Sequence, residues 1–152
     1  MKIMEGSSCI EEIKSLIIEY TNSLNRDLKF QHLDEELSDL EEKYTGENGR
    51  LFAAVTDEDE VIGCIAFHRH NAVRCEMKRL YVKPEYRKEQ TGQKLIETLI
   101  DQARKDGYRE IVLDTIKPFQ SAIHLYQKYG FEEILPYYDN PMDDVIYMRL
   151  TL

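Results

Sequence analysis

The order in which strand-like and helix-like segments alternate constrains the fold of this chain most strongly. After residue 51, three segments rich in β-forming residues follow one another, with the pattern of a meander. From about residue 91 onward, apolar stripes at helical spacing stand between further short strands. Helices inserted between strands serve as crossovers between them, so this order predicts an α/β protein with a mixed sheet and helices on both faces.

Apolar spacing and turn residues predict the bounds of the individual elements. Apolar stripes predict helices over about 9–24, 91–106 and 119–129. A further stripe predicts a helix that closes at 46–49; it consists of Phe30, Leu33, Leu37, Leu40 and Tyr44. The predicted strands are 51–56, 61–67, 72–82, 110–114, 131–135 and 145–151. Pro84 ends the third strand because proline cannot donate a ladder hydrogen bond, and Gly107 and Gly130 each follow a helix.

Length and charge narrow the possible functions. The chain of 152 residues predicts a single domain, 1–152, and it contains no apolar run long enough to span a bilayer. Its net charge of -9 disfavours nucleic acid and anionic membrane surfaces as partners. Three cysteines without a CxxC pair fit a reducing compartment, and nothing near Met1 is typical of a secretory or mitochondrial leader. We therefore expect a cytoplasmic protein.

A basic loop between a predicted strand and a predicted helix is the most informative segment. It reads Arg87-Lys88-Glu89-Gln90-Thr91-Gly92-Gln93-Lys94-Leu95. The first amides of a helix lack partners within the helix and lie at the positive end of its dipole, so they attract a diphosphate. Gly92 would let the backbone approach such a ligand closely. The loop is thus a candidate phosphate site, with an ordinary strand-to-helix turn as the alternative.

Two motifs resemble signatures of the GNAT superfamily of acyl-CoA-dependent N-acyltransferases. Arg87 to Gly92 resembles the Q/R-x-x-G-x-G/A loop, and Ala122 to Phe131 resembles the A-x-x-L-Y-x-x-x-G-F motif. The resemblance extends from about residue 51 to the C-terminus and includes the order of the elements. It implies a GNAT fold, with a mostly antiparallel central sheet of about six to seven strands. It also implies a bulge near the end of strand 72–82, and a V-shaped splay between that strand and strand 110–114 that holds pantetheine.

The resemblance further implies acetyl-CoA as cosubstrate and assigns positions to it. Backbone groups at the end of strand 72–82 would pair with pantetheine, and the loop would hold the pyrophosphate. The implied cofactor-binding residues are Leu80, Tyr81, Val82, Arg87, Lys88, Gln90, Thr91, Gly92, Gln93 and Lys94. The chain departs from the family at Gln90, where the first loop glycine is expected, and at Phe119, where many members carry a pantetheine-binding Asn. A glutamine at that loop position needs either a negative φ or a strained backbone.

Catalysis of acyl transfer to an amine requires a base for the amine and benefits from an acid for the thiolate. By the resemblance, Glu76 matches the general-base position; a structural or substrate-orienting role, such as pairing with Lys78, is the alternative. Tyr126 matches the family's tyrosine near the sulfur, with a core tyrosine as the alternative. His68 and His70 lie on one strand face, but no third ligand stands at a suitable spacing, so we expect no metal.

These features together predict an N-acetyltransferase that transfers the acetyl group of acetyl-CoA directly to a primary amine. The acceptor is expected to be a small molecule or a peptide, and by the resemblance Tyr137 and Tyr138 border its pocket. A GNAT-fold module that binds or senses CoA with little catalysis is the alternative, because of Gln90 and Phe119. The final strands leave a homodimer possible.

Overall fold

The computed structural model describes residues 1–24 and 33–152 of the chain. These residues divide into two compact units. The first comprises Met1–His68 and Lys78–Leu99, and the second comprises Arg69–Met77 and Ile100–Leu152. No helix within the described ranges is both long and apolar enough to cross a membrane. The expectation of one domain over 1–152 stays a prediction.

Seven strands form one sheet. They are β1 (Lys2–Glu5), β2 (Gly49–Val55), β3 (Val61–Arg69), β4 (Arg74–Val82), β5 (Glu110–Ile116), β6 (Glu132–Ile134) and β7 (Val145–Thr151). Their order in the sheet is β1-β2-β3-β4-β5-β7-β6. The pair β4–β5 is parallel, whereas β1–β2, β2–β3, β5–β7 and β6–β7 are antiparallel. The predicted mixed, mostly antiparallel α/β sheet is therefore confirmed.

Five α-helices accompany the sheet in the described part of the chain. They are α1 (Ile10–Leu24), α2 (Leu33–Ser38), α3 (Leu40–Thr45), α4 (Thr91–Lys105) and α5 (Gln120–Lys128). The prediction of a single helix that ends at 46–49 is wrong. Asp39, which has φ -120°, interrupts the helix and separates α2 from α3. Aspartate competes for backbone hydrogen bonds and so weakens a helix interior. Phe30, which belonged to that predicted stripe, lies outside the described residues.

All six predicted strands are present, and β1 is an additional one that the sequence pattern did not reveal. Its four residues alternate neither in hydrophobicity nor in burial, and lysine and glutamate at its ends are poor strand formers. It exists because β2 supplies a partner: Lys2 pairs with Val55 and Glu5 with Phe52 in an antiparallel ladder. Strand formation here depends on tertiary pairing.

The core of the first unit lies between its helices and β2 and β3. Helix α1 buries Ile13, Leu16 and Ile17, and α3 buries Leu40 and Tyr44. These side chains join one apolar cluster with residues of the strands, namely Leu51, Ala53, Val55, Cys64, Ala66 and Tyr81. Alanine at these strand positions lets the helices approach the sheet closely.

Strand β4 contains a residue with left-handed backbone near its end. Arg79 has φ 62° although it lies inside the strand, and its side chain is buried. A left-handed residue within a strand is typical of a β-bulge, which bends the strand and re-aims the residues that follow. The carbonyl of Arg79 accepts a contact from the Cys64 thiol at 3.2 Å. This distortion lies where the family resemblance implies a bulge.

In the second unit, β5 is the central strand. It pairs with β7 along its whole length, from Glu110 opposite Thr151 to Ile116 opposite Val145. Its parallel ladder with β4 covers only three pairs, the last of which is Glu76 opposite Val112. Glu76 thus lies beside Val112 in the parallel ladder of the second unit.

Candidate active site

The basic loop of the first unit leads directly into α4, as the sequence predicts. A short 3-10 helix, Pro84–Glu89, follows β4, and Gln90 connects it to α4, which begins at Thr91. The first backbone hydrogen bond of α4 runs from the Lys94 amide to the Gln90 carbonyl at 3.1 Å. Amides that precede Lys94 have no acceptor within the helix and point toward its positive end. Of the predicted phosphate-binding amides, that of Lys94 is thus already used by the helix.

The side chains of this loop differ in what they offer a ligand. Arg87, Lys88, Gln90 and Lys94 are exposed, so three positive charges surround the start of α4. Thr91 is fully buried, so it presents its backbone rather than its hydroxyl. Exposed cations beside helix amides are an arrangement that binds phosphate groups.

Arg87 holds the end of β4. Its Nε donates to the Val82 carbonyl at 2.9 Å, and its guanidinium lies 5.3 Å from the centroid of the Tyr81 ring. The Tyr81 hydroxyl donates to Glu19 Oε2 at 2.5 Å, and its ring stacks on Tyr20. Burial and the Glu19 carboxylate raise the pKa of Tyr81 to about 12. Tyr81 is therefore a neutral anchor for the strand, and one lone pair of the Val82 carbonyl is already occupied.

Gln90 adopts a backbone conformation that favours glycine. Its φ of 61° and ψ of 19° are left-handed, so the loop carries backbone strain at this position. Such strain costs about 1–2 kcal/mol for a residue with a Cβ.

Replacement of this residue by glycine tests that strain. Gln90→Gly is expected to keep the loop conformation and to raise the free energy of unfolding by about 1 kcal/mol, because glycine adopts a positive φ without steric cost. Urea unfolding of both proteins measures the change, with Gln93→Gly in the first turn of α4 as a control that should be destabilised. A Gln90→Gly protein no more stable than the wild type would contradict backbone strain at Gln90.

In the second unit, Glu76 lies between an imidazole and a phenol. It is 5% exposed. Its Oε1 is 3.3 Å from His70 Nε2, and its Oε2 accepts a hydrogen bond from the Tyr137 hydroxyl at 2.5 Å. Burial and the Glu76 carboxylate raise the pKa of Tyr137 well above its ordinary value, so this hydroxyl stays a neutral donor. Glu76 is thus a held carboxylate with an imidazole within proton-transfer distance.

A second carboxylate has a similar partner. The Tyr138 hydroxyl donates to Asp114 Oδ2 and accepts a hydrogen bond from Asn140 Nδ2 at 2.8 Å. Burial and the Asp114 carboxylate raise the pKa of Tyr138. Both tyrosine rings pack on Tyr147, with centroids 5.2 and 5.6 Å from it. Three tyrosines, two carboxylates and His70 therefore form one polar and aromatic cluster around Glu76.

Sequence reasoning placed Glu76, Tyr137 and Tyr138 at the site but missed two members of this cluster. The sequence indicates His70 only as a possible metal ligand, and it assigns no role to Asp114. Asp114 ends the strand predicted over 110–114, and a polar residue at the carboxyl end of a buried strand is a signal for a ligand site. No such local signal exists for the contact of His70 with Glu76, because it depends on the turn between β3 and β4.

Tyr126, the candidate general acid, is buried on α5. Its ring packs against Phe131 with centroids 5.8 Å apart, and its carbonyl accepts from the Phe131 amide at 3.1 Å. Gly130 makes this reversal possible with φ 98°, a conformation that favours glycine. Phe119 precedes α5, and its amide donates to the Ile116 carbonyl at 2.9 Å. The turn after α5 thus brings Tyr126 into contact with Phe131, the last residue of the second motif.

Comparisons with known proteins agree with this geometry. The model of the Acetyltransferase (GNAT) family matches residues 17–131. An uncharacterized N-acetyltransferase of Schizosaccharomyces pombe is 38% identical over 144 residues, which cover 94% of this chain and 88% of the relative. A GNAT-family acetyltransferase of Staphylococcus aureus has 26% identity and a TM-score of 0.82, with 99% of this chain and 98% of that chain covered. A GNAT-family acetyltransferase of Elizabethkingia anophelis, solved with acetyl-CoA bound, has 22% identity and a TM-score of 0.62, covering 80% and 82%.

These matches define the class of protein. The chain belongs to the GNAT family of acetyltransferases. It is an acetyl-CoA-dependent acyltransferase, as the two motifs predict.

Proposed function

We propose that this enzyme transfers the acetyl group of acetyl-CoA directly to a primary amine of a small molecule or a peptide. The observation that carries the proposal is the buried carboxylate of Glu76, held between His70 and the Tyr137 hydroxyl. A carboxylate fixed in this way can accept a proton from a bound ammonium group. Transfer of an acetyl group to an amine needs such a base, because only the neutral amine is a nucleophile.

The basic loop and the start of α4 are proposed to bind the pyrophosphate of the cosubstrate. The exposed cations Arg87, Lys88 and Lys94 and the first amides of α4 supply the charge and the hydrogen-bond donors. Acetyl-CoA bound to the Elizabethkingia relative supports this cosubstrate. Backbone groups of Leu80 and Val82 are proposed to pair with pantetheine.

The transfer itself proceeds without an acyl-enzyme. Glu76 takes a proton from the acceptor ammonium, and the neutral nitrogen attacks the thioester carbonyl. The nitrogen of the tetrahedral intermediate then loses its second proton to solvent, and the carbon–sulfur bond breaks as the intermediate collapses. Tyr126 is proposed to donate a proton to the departing thiolate and to be reprotonated from solvent. His70 is solvent-accessible and passes the proton from Glu76 to water. The products are the N-acetylated amine and free CoA.

A module that binds CoA with little catalysis remains the second candidate. The observation that favours it is the left-handed backbone at Gln90, which strains the loop that is proposed to hold the pyrophosphate.

We place the activity in the cytoplasm. Cys9, Cys64 and Cys75 are all buried and free. Burial raises the pKa of the Cys64 and Cys75 thiols to about 12, so both are unreactive core residues that need no oxidising compartment.

The test is a titration of the protein with acetyl-CoA and with free CoA, followed by a screen of amines with thiol release as readout. Binding together with turnover of at least one amine is expected. Absence of acyl-CoA binding would contradict the proposal, and binding without turnover of any amine would favour the CoA-binding module.

A further inference from the structure

The bulge of β4 places an arginine in an unfavourable backbone conformation. Arg79 is 8% exposed and has φ 62°, where residues with a Cβ are seldom found. Two of the three residues that follow it, Leu80 and Val82, are those whose backbone is proposed to pair with pantetheine. The direction in which these groups point depends on the bulge. Whatever holds Arg79 in this conformation therefore sets the geometry of the proposed acyl-CoA site.

A carboxylate from α2 holds the Arg79 side chain. Arg79 Nε donates to Glu36 Oε2 at 2.6 Å, and its Nη2 donates to Oε1 at 3.2 Å. This two-point contact fixes the guanidinium in position and orientation, which a single point charge would not do. Glu36 and Arg79 are 43 positions apart, and both belong to the first unit.

Glu36 is itself held by two further donors. Lys43 Nζ lies 2.9 Å and the Tyr44 hydroxyl 2.8 Å from its Oε1. The carboxylate is only 4% exposed. Burial alone would raise its pKa, but Arg79 and then Lys43 outweigh burial and lower it to about 2. Both members of the pair are therefore charged at neutral pH, and both carboxylate oxygens of Glu36 accept hydrogen bonds.

We propose that Glu36 and Arg79 are positioning residues for acyl-CoA, because their ion pair maintains the left-handed bulge that aims the backbone of Leu80 to Val82. The inference rests on the proposed function, since it concerns the same cosubstrate site. It couples helix α2, which no motif assigns to the site, to binding of the cosubstrate. A buried ion pair that served stability alone would leave acyl-CoA affinity unchanged once the protein is folded.

Two substitutions of Arg79 separate the effect of its left-handed backbone from the effect of its guanidinium charge. Arg79→Gly and Arg79→Ala both remove the guanidinium, but only glycine adopts φ 62° without steric cost. We expect the glycine variant to bind acetyl-CoA about tenfold more tightly than the alanine variant in calorimetric titration. Equal affinities in two folded variants would overturn the proposal.

Two substitutions of the carboxylate cluster provide a matched comparison. Glu36→Gln is expected to raise KM for acetyl-CoA about tenfold and to leave kcat within about twofold, because it loosens binding geometry and not the chemistry. Lys43→Gln removes a charge from the same cluster but keeps both hydrogen bonds between Arg79 and Glu36, so its KM should stay within about twofold of the wild-type value. A similar rise of KM in both variants would indicate a merely structural cluster and would contradict the proposal.

The wild-type chain offers a test that does not depend on the folding of any variant. Because coupling is reciprocal, acetyl-CoA binding should slow hydrogen exchange in residues 33–45 more than in β1 (Lys2–Glu5). Binding without this difference would overturn the positioning role alone. A wild-type chain that binds no acetyl-CoA would overturn the proposed function as well, so the two failures are distinguishable.

Discussion

Glutamate in place of Gly92 is expected to weaken acetyl-CoA binding by at least about 100-fold. Gly92 is the second residue of α4, beside the amides that are proposed to face the pyrophosphate. A side chain there would occupy the space of the phosphates, and its carboxylate would repel them. A hydrogen bond to a charged group contributes about 1.5–3 kcal/mol, so loss of two such contacts gives this magnitude.

The same substitution should leave the protein folded. A negative charge near a helix N-terminus stabilises the helix by about 0.3–1 kcal/mol, so the thermal midpoint of Gly92→Glu should stay close to that of the wild type. Calorimetry measures the affinity for acetyl-CoA, and circular dichroism measures the midpoint of thermal unfolding. Gln127→Glu is the matched control, because it adds the same charge on an exposed face of α5. Wild-type affinity in Gly92→Glu would show that the loop is not the phosphate site.

Glutamine in place of Glu76 is expected to reduce kcat by about 100-fold to 10,000-fold, the usual contribution of a general base. The amide has the shape of the carboxylate and can still accept the hydrogen bond from Tyr137, but it cannot take up a proton. Binding of acetyl-CoA should be unchanged, since the substitution does not touch the basic loop. Steady-state kinetics with an accepted amine, together with calorimetry, measures both quantities.

The pH dependence of kcat tests the role of Glu76 as a base most directly. An alkyl amine has a pKa of about 10.4, so its neutral fraction rises tenfold for each pH unit below that value. The defect of Glu76→Gln should therefore shrink as pH rises, because deprotonation by solvent replaces the missing base. Glu110→Gln is the matched control, since Glu110 is paired with Arg74 at 2.8 Å and lies at the start of β5. A folded Glu76→Gln enzyme with the wild-type rate at neutral pH would assign Glu76 a structural role.

The spacing of apolar residues was sufficient to predict most of the helices and strands, because this spacing is a property of each local segment. Strand β7 over Val145–Thr151 has the predicted bounds, and α4 and β5 differ from prediction by two residues or fewer at each end. The failures arise where local pattern is weak. The four residues of β1 form a strand only because β2 pairs with them, and a continuous apolar stripe concealed the interruption at Asp39.

The sequence by itself determined the family, the position of the basic loop before α4 and the candidates Glu76 and Tyr126, because these are contiguous motifs or single strand positions. Only the tertiary structure decided what surrounds them. Glu76 meets Tyr137 across 61 positions, and Arg79 meets Glu36 across 43. Such contacts depend on strand register and helix packing, which arise from the sum of many weak apolar contacts. The left-handed backbone at Gln90 and Arg79 likewise has no local sequence signal, since surrounding packing imposes it on residues that would otherwise avoid it.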